Sequence, residues 1–273
     1  DLQAVSAIEE LEENAWVTFS GTGAPQPTAG INLTGGTDGN VTNADYTDYL
    51  TAIELHDFNT MAAPIEDETL KGVFVAFVKR MREDEGKKIQ VVLPDYPNAD
   101  YEGVISVKNG VVLEDGTTIN NIQATAWVAG ATAGANVNES LTYAAYGGAV
   151  DVDNRFTNTE IVQALKNGEF LFIPSDGQAI VEQDINTFTS YTPTKRRHFS
   201  KNRVIRVLDG IANDLKRIFE RNFIGKVNND TDGRNLFKNE IINYLNALQN
   251  IGAIQNFDPQ ADIQVSQGND VDS

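Results

Sequence analysis

The chain has no cysteine, two histidines and two methionines among its 273 residues. The lack of cysteine excludes disulfide bonds and thiolate metal sites, and it is compatible with folding in a reducing cytoplasm. No apolar run reaches the roughly 18 residues that a membrane-spanning helix needs, so we expect no direct membrane insertion. The first residues, DLQAVSAIEELEEN, also lack the basic and apolar regions of a secretory signal peptide.

The shortage of histidine argues against a hydrolase. Serine catalysis needs a base beside the nucleophile and a carboxylate that orients this base. Only His56 and His198 are available as that base, and His198 lies in the cationic run KRRHF. His56 precedes Asp57, but adjacent residues of a helix point in different directions, and the sequence has no Gly-x-Ser-x-Gly elbow. We therefore expect no enzymatic activity.

Nucleotide and metal motifs are incomplete. The Gly-Lys pairs at 86–87 and 225–226 are not followed by Ser or Thr, and the Gly-x-Gly at 21–23 lacks a third glycine. The run NNDTDG at 228–233 resembles the start of a calcium loop, but its twelfth position is Asn239 instead of a bidentate glutamate. The sequence thus predicts no cofactor and no metal site, and 228–233 is interpreted as a polar turn between two helices, with adventitious ion binding as the alternative.

Charge is distributed unevenly along a chain of net charge −18. Residues 1–190 contain nine Lys or Arg against 29 Asp or Glu, whereas residues 191–273 contain twelve against ten. Pro193 lies at the change, in a polar stretch that reads as a linker. We therefore predict two domains, residues 1–190 and residues 191–273.

The pattern of the first domain predicts α/β architecture with a mixed sheet and flanking helices. Continuous apolar runs that alternate with helical periodicity favour a parallel sheet covered by helices. Asn109-Gly110 between two short apolar runs predicts a hairpin with a type I′ turn. The predicted strands are Asn14–Phe19, Phe58–Ala62, Lys88–Leu93, Val104–Val107, Val111–Leu113 and Glu169–Ile173. The predicted helices are Leu2–Leu11, Ala44–Glu54, Asp67–Glu85, Gln123–Ala135 and Glu160–Asn167, and 21–39 reads as a loop.

A basic segment, Lys195–Lys226, dominates the second domain, which we expect to be small and α+β. It holds ten Lys or Arg against three acidic residues. Helical spacing predicts a buried apolar stripe and a flank of arginines within about 60° of one another beside it. The stripe comprises Val204, Val207, Leu208, Ile211, Leu215, Ile218 and Phe219, and the flank comprises Arg203, Arg206, Arg217 and Arg221. A second amphipathic helix follows around Leu236–Leu248.

The arginine flank has two interpretations, a solvated face that keeps the helix soluble or a contact surface for an acidic partner. Nucleic acid is a poor candidate for that partner. Phe219 and Phe223 lie on or beside the predicted apolar face, so stacking platforms are missing, and the acidic domain would repel phosphate. A protein partner therefore fits the charge pattern better.

The run from Phe199 to Arg234, FSKNRVIRVLDGIANDLKRIF followed by FIGKVNNDTDGR, resembles the C-terminal domain of contractile phage tail sheath proteins. LTGGTDG (Leu33–Gly39), WVAGATAGANVNESLT (Trp127–Thr142) and INTFT (Ile185–Thr189) resemble the same family in the same order. The likeness spans nearly the whole chain. It is strongest to the prophage-type sheaths and phage-tail-like bacteriocins of Gram-positive bacteria.

The resemblance implies a subtilisin-like first domain without catalytic residues, and a structural subunit that polymerises helically around an inner tube and contracts. The implied partners are other sheath copies, the inner tube protein, and baseplate and tail terminator proteins. Assembly would occur in the bacterial cytoplasm, within a virion or a headless particle. The alternative is a soluble binding module of a cell-surface protein.

The chain begins without Met in a predicted helix and stops just after the alternating Ile263 and Val265, so we expect that both ends are cut. Sheath proteins exchange terminal arms between neighbours, and these arms are not evident in the sequence, so we expect the chain by itself to be monomeric. The family's C-terminal domain forms the inner layer of the sheath. The candidate tube-facing or inter-subunit residues are Lys195, Arg196, Arg197, Lys201, Arg203, Arg206, Arg217 and Arg221.

Overall fold

Mixed α/β architecture is present in the computed structural model, which describes residues 22–24, 35, 39 and 41–268. The helices are α1 Asn43–Ile53, α2 Glu68–Glu83, α3 Asn121–Gly134, α4 Asn158–Lys166, α5 Asn202–Asn222 and α6 Thr231–Asn250. The strands are β1 Thr60–Ala62, β2 Gln90–Pro94, β3 Val104–Val107, β4 Val111–Leu113, β5 Thr118–Ile119, β6 Ala149–Val152, β7 Glu169–Phe170, β8 Phe172–Ser175 and β9 Gln178–Val181. The predicted helix Leu2–Leu11 and strand Asn14–Phe19 lie outside the described residues, as does most of 21–39.

A parallel sheet in the order β1-β2-β3-β7 forms the centre of residues 43–190, which we call the α/β region. Its side chains alternate between two cores, as the twofold period of a strand requires. Val91 and Leu93 pack on the side of α1 and α2, whereas Val92 and Ile105 pack on the side of α3. Burial on both faces explains why these strands are continuous apolar runs.

Local signals set the helix boundaries close to where the sequence predicts them. Asp67 caps α2 by accepting a hydrogen bond from the Leu70 amide at 2.8 Å. Capping boxes begin α3, through Asn120 and Gln123, and α4, through Thr157 and Glu160. These caps satisfy amides that have no partner within the helix. The predicted helices of the α/β region between residues 43 and 167 are therefore confirmed.

The predicted hairpin at Asn109-Gly110 is wrong. Strand β3 belongs to the parallel sheet, whereas β4 belongs to a second, antiparallel sheet in the order β5-β4-β6. The buried side-chain amide of Asn109 accepts a hydrogen bond from the backbone N–H of Phe172 at 2.9 Å and donates one to the Phe172 carbonyl at 3.0 Å. A β carbon on Gly110 would lie 1.8 Å from the Ile119 carbonyl oxygen. The pair thus joins two sheets at a close backbone approach, and neither residue has a positive φ.

The predicted strand Glu169–Ile173 is divided in two. β7 completes the parallel sheet beside β3, and β8 turns away to pair with β9 in an antiparallel hairpin. Beyond residue 190, the described chain contains α5, α6 and a short 3-10 helix, Arg197–Ser200. Its described β pairing is one bridge, between Lys201 and Ile185. The division of the chain near residue 191 stays a prediction.

Candidate contact surface on the basic helix

The face that α5 turns toward the α/β region is mainly polar. We call it the joint face; at 100° per residue its members fall within about a 100° arc. They are Asn202, Ile205, Arg206, Asp209, Asn213 and Lys216. Asn202 and Ile205 are fully buried, and a cleft of about 710 Å³ separates the later turns of α5 from the α/β region. The contact between this face and the α/β region, which we call the joint, is therefore closed at the start of α5 and open toward its end.

Each polar member of the joint face has a specific partner. Asp209 accepts two hydrogen bonds from the Arg82 guanidinium, at 2.6 and 2.8 Å. Asn213 accepts from the Lys88 amide and donates to the Lys88 carbonyl, both at 2.9 Å. Burial raises the pKa of the Asp209 carboxyl, and the hydrogen-bonded guanidinium of Arg82 opposes that rise.

The N-terminal end of α5 is held by Asp184. This buried carboxylate accepts from the Asn202 side chain at 2.9 Å and from the Leu141 amide at 3.1 Å. The Arg206 guanidinium lies 3.7 Å from the same carboxylate. Asp184 thereby ties its own segment, the loop at Leu141 and the start of α5 together at one point.

The predicted apolar stripe is only partly buried, so that prediction is wrong for two of its members. Leu208 is 42% exposed and Phe219 is 43% exposed, whereas Val207 is buried. The stripe lies on the side of α5 roughly opposite the joint face. Its C-terminal end meets α6, where the Phe219 and Phe237 ring centroids are 5.0 Å apart.

Four of the eight candidate cations are partly buried and bonded to other parts of the chain. Lys195 pairs with Glu102 at 2.6 Å, and Lys201 donates to the Gln183 side chain at 2.6 Å. Burial, followed by the charge of Arg197, lowers the pKa of Lys201. Arg203 donates to the carbonyls of Asn138 and Gly252, and Arg206 donates to those of Thr132 and Glu139.

The other four candidate cations are exposed, but they lie at two separate places. Arg196 and Arg197 precede α5, whereas Arg217 and Arg221 lie near its C-terminal end. The 21 residues of α5 span about 30 Å, so these pairs do not form a single patch. Arg217 also contacts Asp214, one turn earlier on the helix. The arginine flank of the sequence is thus divided between internal anchoring and exposure.

Sequence reasoning missed Asp209, Asn213 and Lys216 as structural contacts. Their spacings of four and three residues place them on one face of the helix, and this signal is visible in the sequence. It is easily passed over, because amphipathic analysis assigns burial to apolar residues. Lys216 reaches the Glu85 carbonyl at 3.0 Å.

The residues weighed for catalysis and metal binding lie apart from one another. His56 follows α1 and His198 lies in the 3-10 helix, both exposed. Asp230 caps α6 by accepting from the Gly233 amide at 2.8 Å, which accounts for the polar turn. Within the described ranges, no three His, Asp or Glu side chains converge as a metal site would require. None of the described helices combines the length and apolarity of a membrane span.

Comparison with known proteins accounts for both parts of the chain. Residues 39–187 match the phage tail sheath protein central domain, and residues 194–273 match the phage tail sheath C-terminal domain. The chain belongs to the phage tail sheath family. The resemblance seen in the sequence is therefore confirmed, as are the mixed α/β fold and a smaller C-terminal domain.

Three relatives show how close the likeness is. The phage-like element PBSX protein XkdK of Bacillus subtilis is 43% identical over all of this chain. The crystal structure of a sheath tail protein from Desulfitobacterium hafniense has a TM-score of 0.84 and 64% identity over 94% of the chain. One from Listeria innocua has a TM-score of 0.83 and 44% identity over 98% of the chain. The chain spans 64%, 61% and 63% of the lengths of these three relatives, in that order.

More distant solved structures share the fold. The helical sheath of the anti-feeding prophage in its contracted state matches 78% of this chain with a TM-score of 0.59 and 19% identity. At that identity, the likeness concerns the fold alone. The sheath fold of this chain thus extends to proteins whose sequences have diverged widely.

Proposed function

We propose that this protein is the structural subunit of a contractile tail sheath. Many copies assemble helically around an inner tube, and the sleeve then shortens and drives the tube through a cell envelope. The observation that carries this proposal is the match of both chain segments to sheath domains, together with 64% identity to a sheath tail protein of known structure. A repeated, non-closing contact between identical subunits builds such a sleeve.

The work in this proposal is mechanical. Contraction is a rearrangement between two packings of one fold, and the free energy is stored when the sheath assembles. The subunit therefore needs no hydrolysed fuel and no catalytic residue. Its partners are other sheath copies, the tube protein, and the baseplate and tail terminator proteins. Its location is a tail particle that assembles in the cytoplasm of the bacterial host.

Residues 1–190 and 191–273 act in this proposal as the central and inner domains of the subunit. We place the contact with the tube or a neighbouring subunit at the exposed cations Arg196, Arg197, Arg217 and Arg221. Exposed charge pairs contribute less than about 1 kcal/mol each, so they suit a contact that forms along a lattice and is later released. The internal bonds of Lys195, Lys201, Arg203 and Arg206 support an anchoring role for those four.

Electron microscopy of the complete gene product, co-expressed with the tube protein, tests the function. We expect long sheaths around tubes, and sedimentation should show polymers. If the complete protein stays monomeric with its tube present, the sheath function is contradicted and a soluble binding module becomes the better explanation.

Charge reversal then tests the contact. Arg217→Glu with Arg221→Glu should give sheaths that lack tubes or contract early, while the subunit remains folded. The matched control is Arg155→Glu with Lys166→Glu, which makes the same charge change at exposed cations of the α/β region. Tubes that are sheathed normally in both variants would show that Arg217 and Arg221 are only solvated surface.

A further inference from the structure

Two ion pairs of opposite polarity connect the segment 195–209 to the α/β region. Arg82 of the α/β region donates to Asp209 at 2.6 Å, and these side chains are 6% and 14% exposed. Glu102 of the α/β region accepts from Lys195 at 2.6 Å, and these side chains are 10% and 44% exposed. The α/β region thus supplies the cation of one pair and the anion of the other. We call these four residues the charge cluster.

The two pairs are neighbours, because they share one aromatic ring. The guanidinium carbon of Arg82 and the Nζ of Lys195 each lie 6.0 Å from the centroid of the Tyr101 ring. Gly103 leaves the space that the cluster needs. A β carbon there would lie 2.8 Å from Cδ of Arg82 and 2.9 Å from a ring carbon of Tyr101. The backbone is therefore shaped around these side chains.

Stability is a poor explanation for charges in this position. Removing an ion pair from water costs free energy that the attraction between the partners only partly returns. Apolar residues of similar size often replace such pairs with no loss of stability. An ion pair instead discriminates between possible partners, since each charge attracts the opposite sign and is repelled by the same sign.

Because the two pairs have opposite polarity, exchanging partners between them brings like charges together. If the segment 195–209 shifted so that Lys195 approached Arg82, or Asp209 approached Glu102, like charges would meet beside the buried side chains of Arg82 and Glu102. Two pairs of the same polarity would not exclude this exchange, because either cation could then take either anion. The arrangement therefore discriminates between alternative dockings of α5.

We propose that the charge cluster is an orientation lock that restricts α5 to one docking on the α/β region. The lock is a property of the single chain and holds whether or not the protein forms a sheath. In a sheath it would make the two parts of each subunit respond together when contacts between subunits change.

Distance measurement between two spin labels tests the lock. The chain has no cysteine, so Thr159→Cys in α4 and Asn222→Cys at the end of α5 provide two exposed, unique label sites. We expect one narrow distance distribution for the otherwise unchanged chain. The apolar variant Arg82→Met, Glu102→Leu, Lys195→Met, Asp209→Leu should melt within a few degrees of that chain but give a distribution at least twice as broad.

Exchange of charges provides the matched control. Arg82→Glu with Asp209→Arg gives both pairs the same polarity and should broaden the distribution. Adding Glu102→Lys with Lys195→Glu restores opposite polarity, and the distribution should narrow again. The proposal is overturned if the apolar variant keeps the narrow distribution, or if the fully exchanged variant is folded yet as broad as the apolar one.

Discussion

The parallel sheet and the joint of α5 are held together by different chemistry. Val91, Val92 and Val104 of the sheet are fully buried among apolar side chains. The joint instead places Asp209 and Asn213, both partly buried, against a guanidinium and a backbone segment. A hydrophobic surface can pack in many ways with similar free energy, whereas a hydrogen-bonded surface tolerates few arrangements. The sheet thus supplies stability and the joint supplies a defined geometry.

The largest loss of stability should come from a substitution in the apolar core around the parallel sheet. Phe170 is fully buried, with its ring centroid 5.6 Å from that of Phe172. Phe170→Ala should lower the free energy of unfolding by about 3–5 kcal/mol, measured by urea denaturation, because the site cannot collapse around the lost ring. Phe219→Ala on α5 is the control, with an expected loss of about 1 kcal/mol. Equal losses would mean that the outer face of α5 is as well packed as the sheet.

A substitution of intermediate effect tests how closely the backbone between β3 and β4 approaches the end of β5. Gly110→Ala places a methyl group against the Ile119 carbonyl, so the backbone must move, at a cost of about 1–3 kcal/mol. Gly130→Ala in α3 has no atom within 4 Å of its new β carbon and should be neutral or stabilising by up to about 1 kcal/mol. Thermal unfolding of both variants checks this. A harmless Gly110→Ala would contradict the close approach.

The smallest loss of stability should come from a substitution in the joint. Asn213→Ala removes both hydrogen bonds to Lys88, but the adjoining cleft lets water take their place, so we expect a loss of about 1 kcal/mol. Amide hydrogen exchange at Lys88 should accelerate, because its amide loses its partner. Asn222→Ala, at the exposed end of the same helix, should leave that rate unchanged. An unchanged rate in Asn213→Ala would show that the joint does not depend on this amide.

Elements whose position is set by local residue patterns could be predicted from the sequence. The capping residues before α3 and α4 and the continuous apolar run of β2 act locally, so their outcome depends little on the rest of the chain. Asn109-Gly110 shows the limit of such reasoning. The pair is chemically able to form a type I′ turn, but the amide of Asn109 finds better partners on Phe172, a residue far away in the sequence. Only the tertiary structure decides between these two uses.

For the candidate contact surface, too, some properties could be predicted from the sequence and others only from the structure. Its charge is evident in the sequence, since ten basic residues lie between Lys195 and Lys226 in a chain of net charge −18. Which cations remain exposed is not evident, because Arg206 and Arg217 share one side of the helix by periodicity. The structure bonds Arg206 to the backbone carbonyls of Thr132 in α3 and Glu139 after it, and it leaves Arg217 exposed beside Asp214.

By itself, the sequence determined the sheath family, the order of the main α/β elements and the basic character of the second part. These properties follow from residue patterns and local energetics. The tertiary structure decided which face of α5 is buried, because burial there depends on hydrogen-bond partners such as Arg82 and Lys88 that periodicity cannot identify. A helix whose apolar and polar faces can both be packed has two self-consistent dockings, and only the surface that it meets selects one of them.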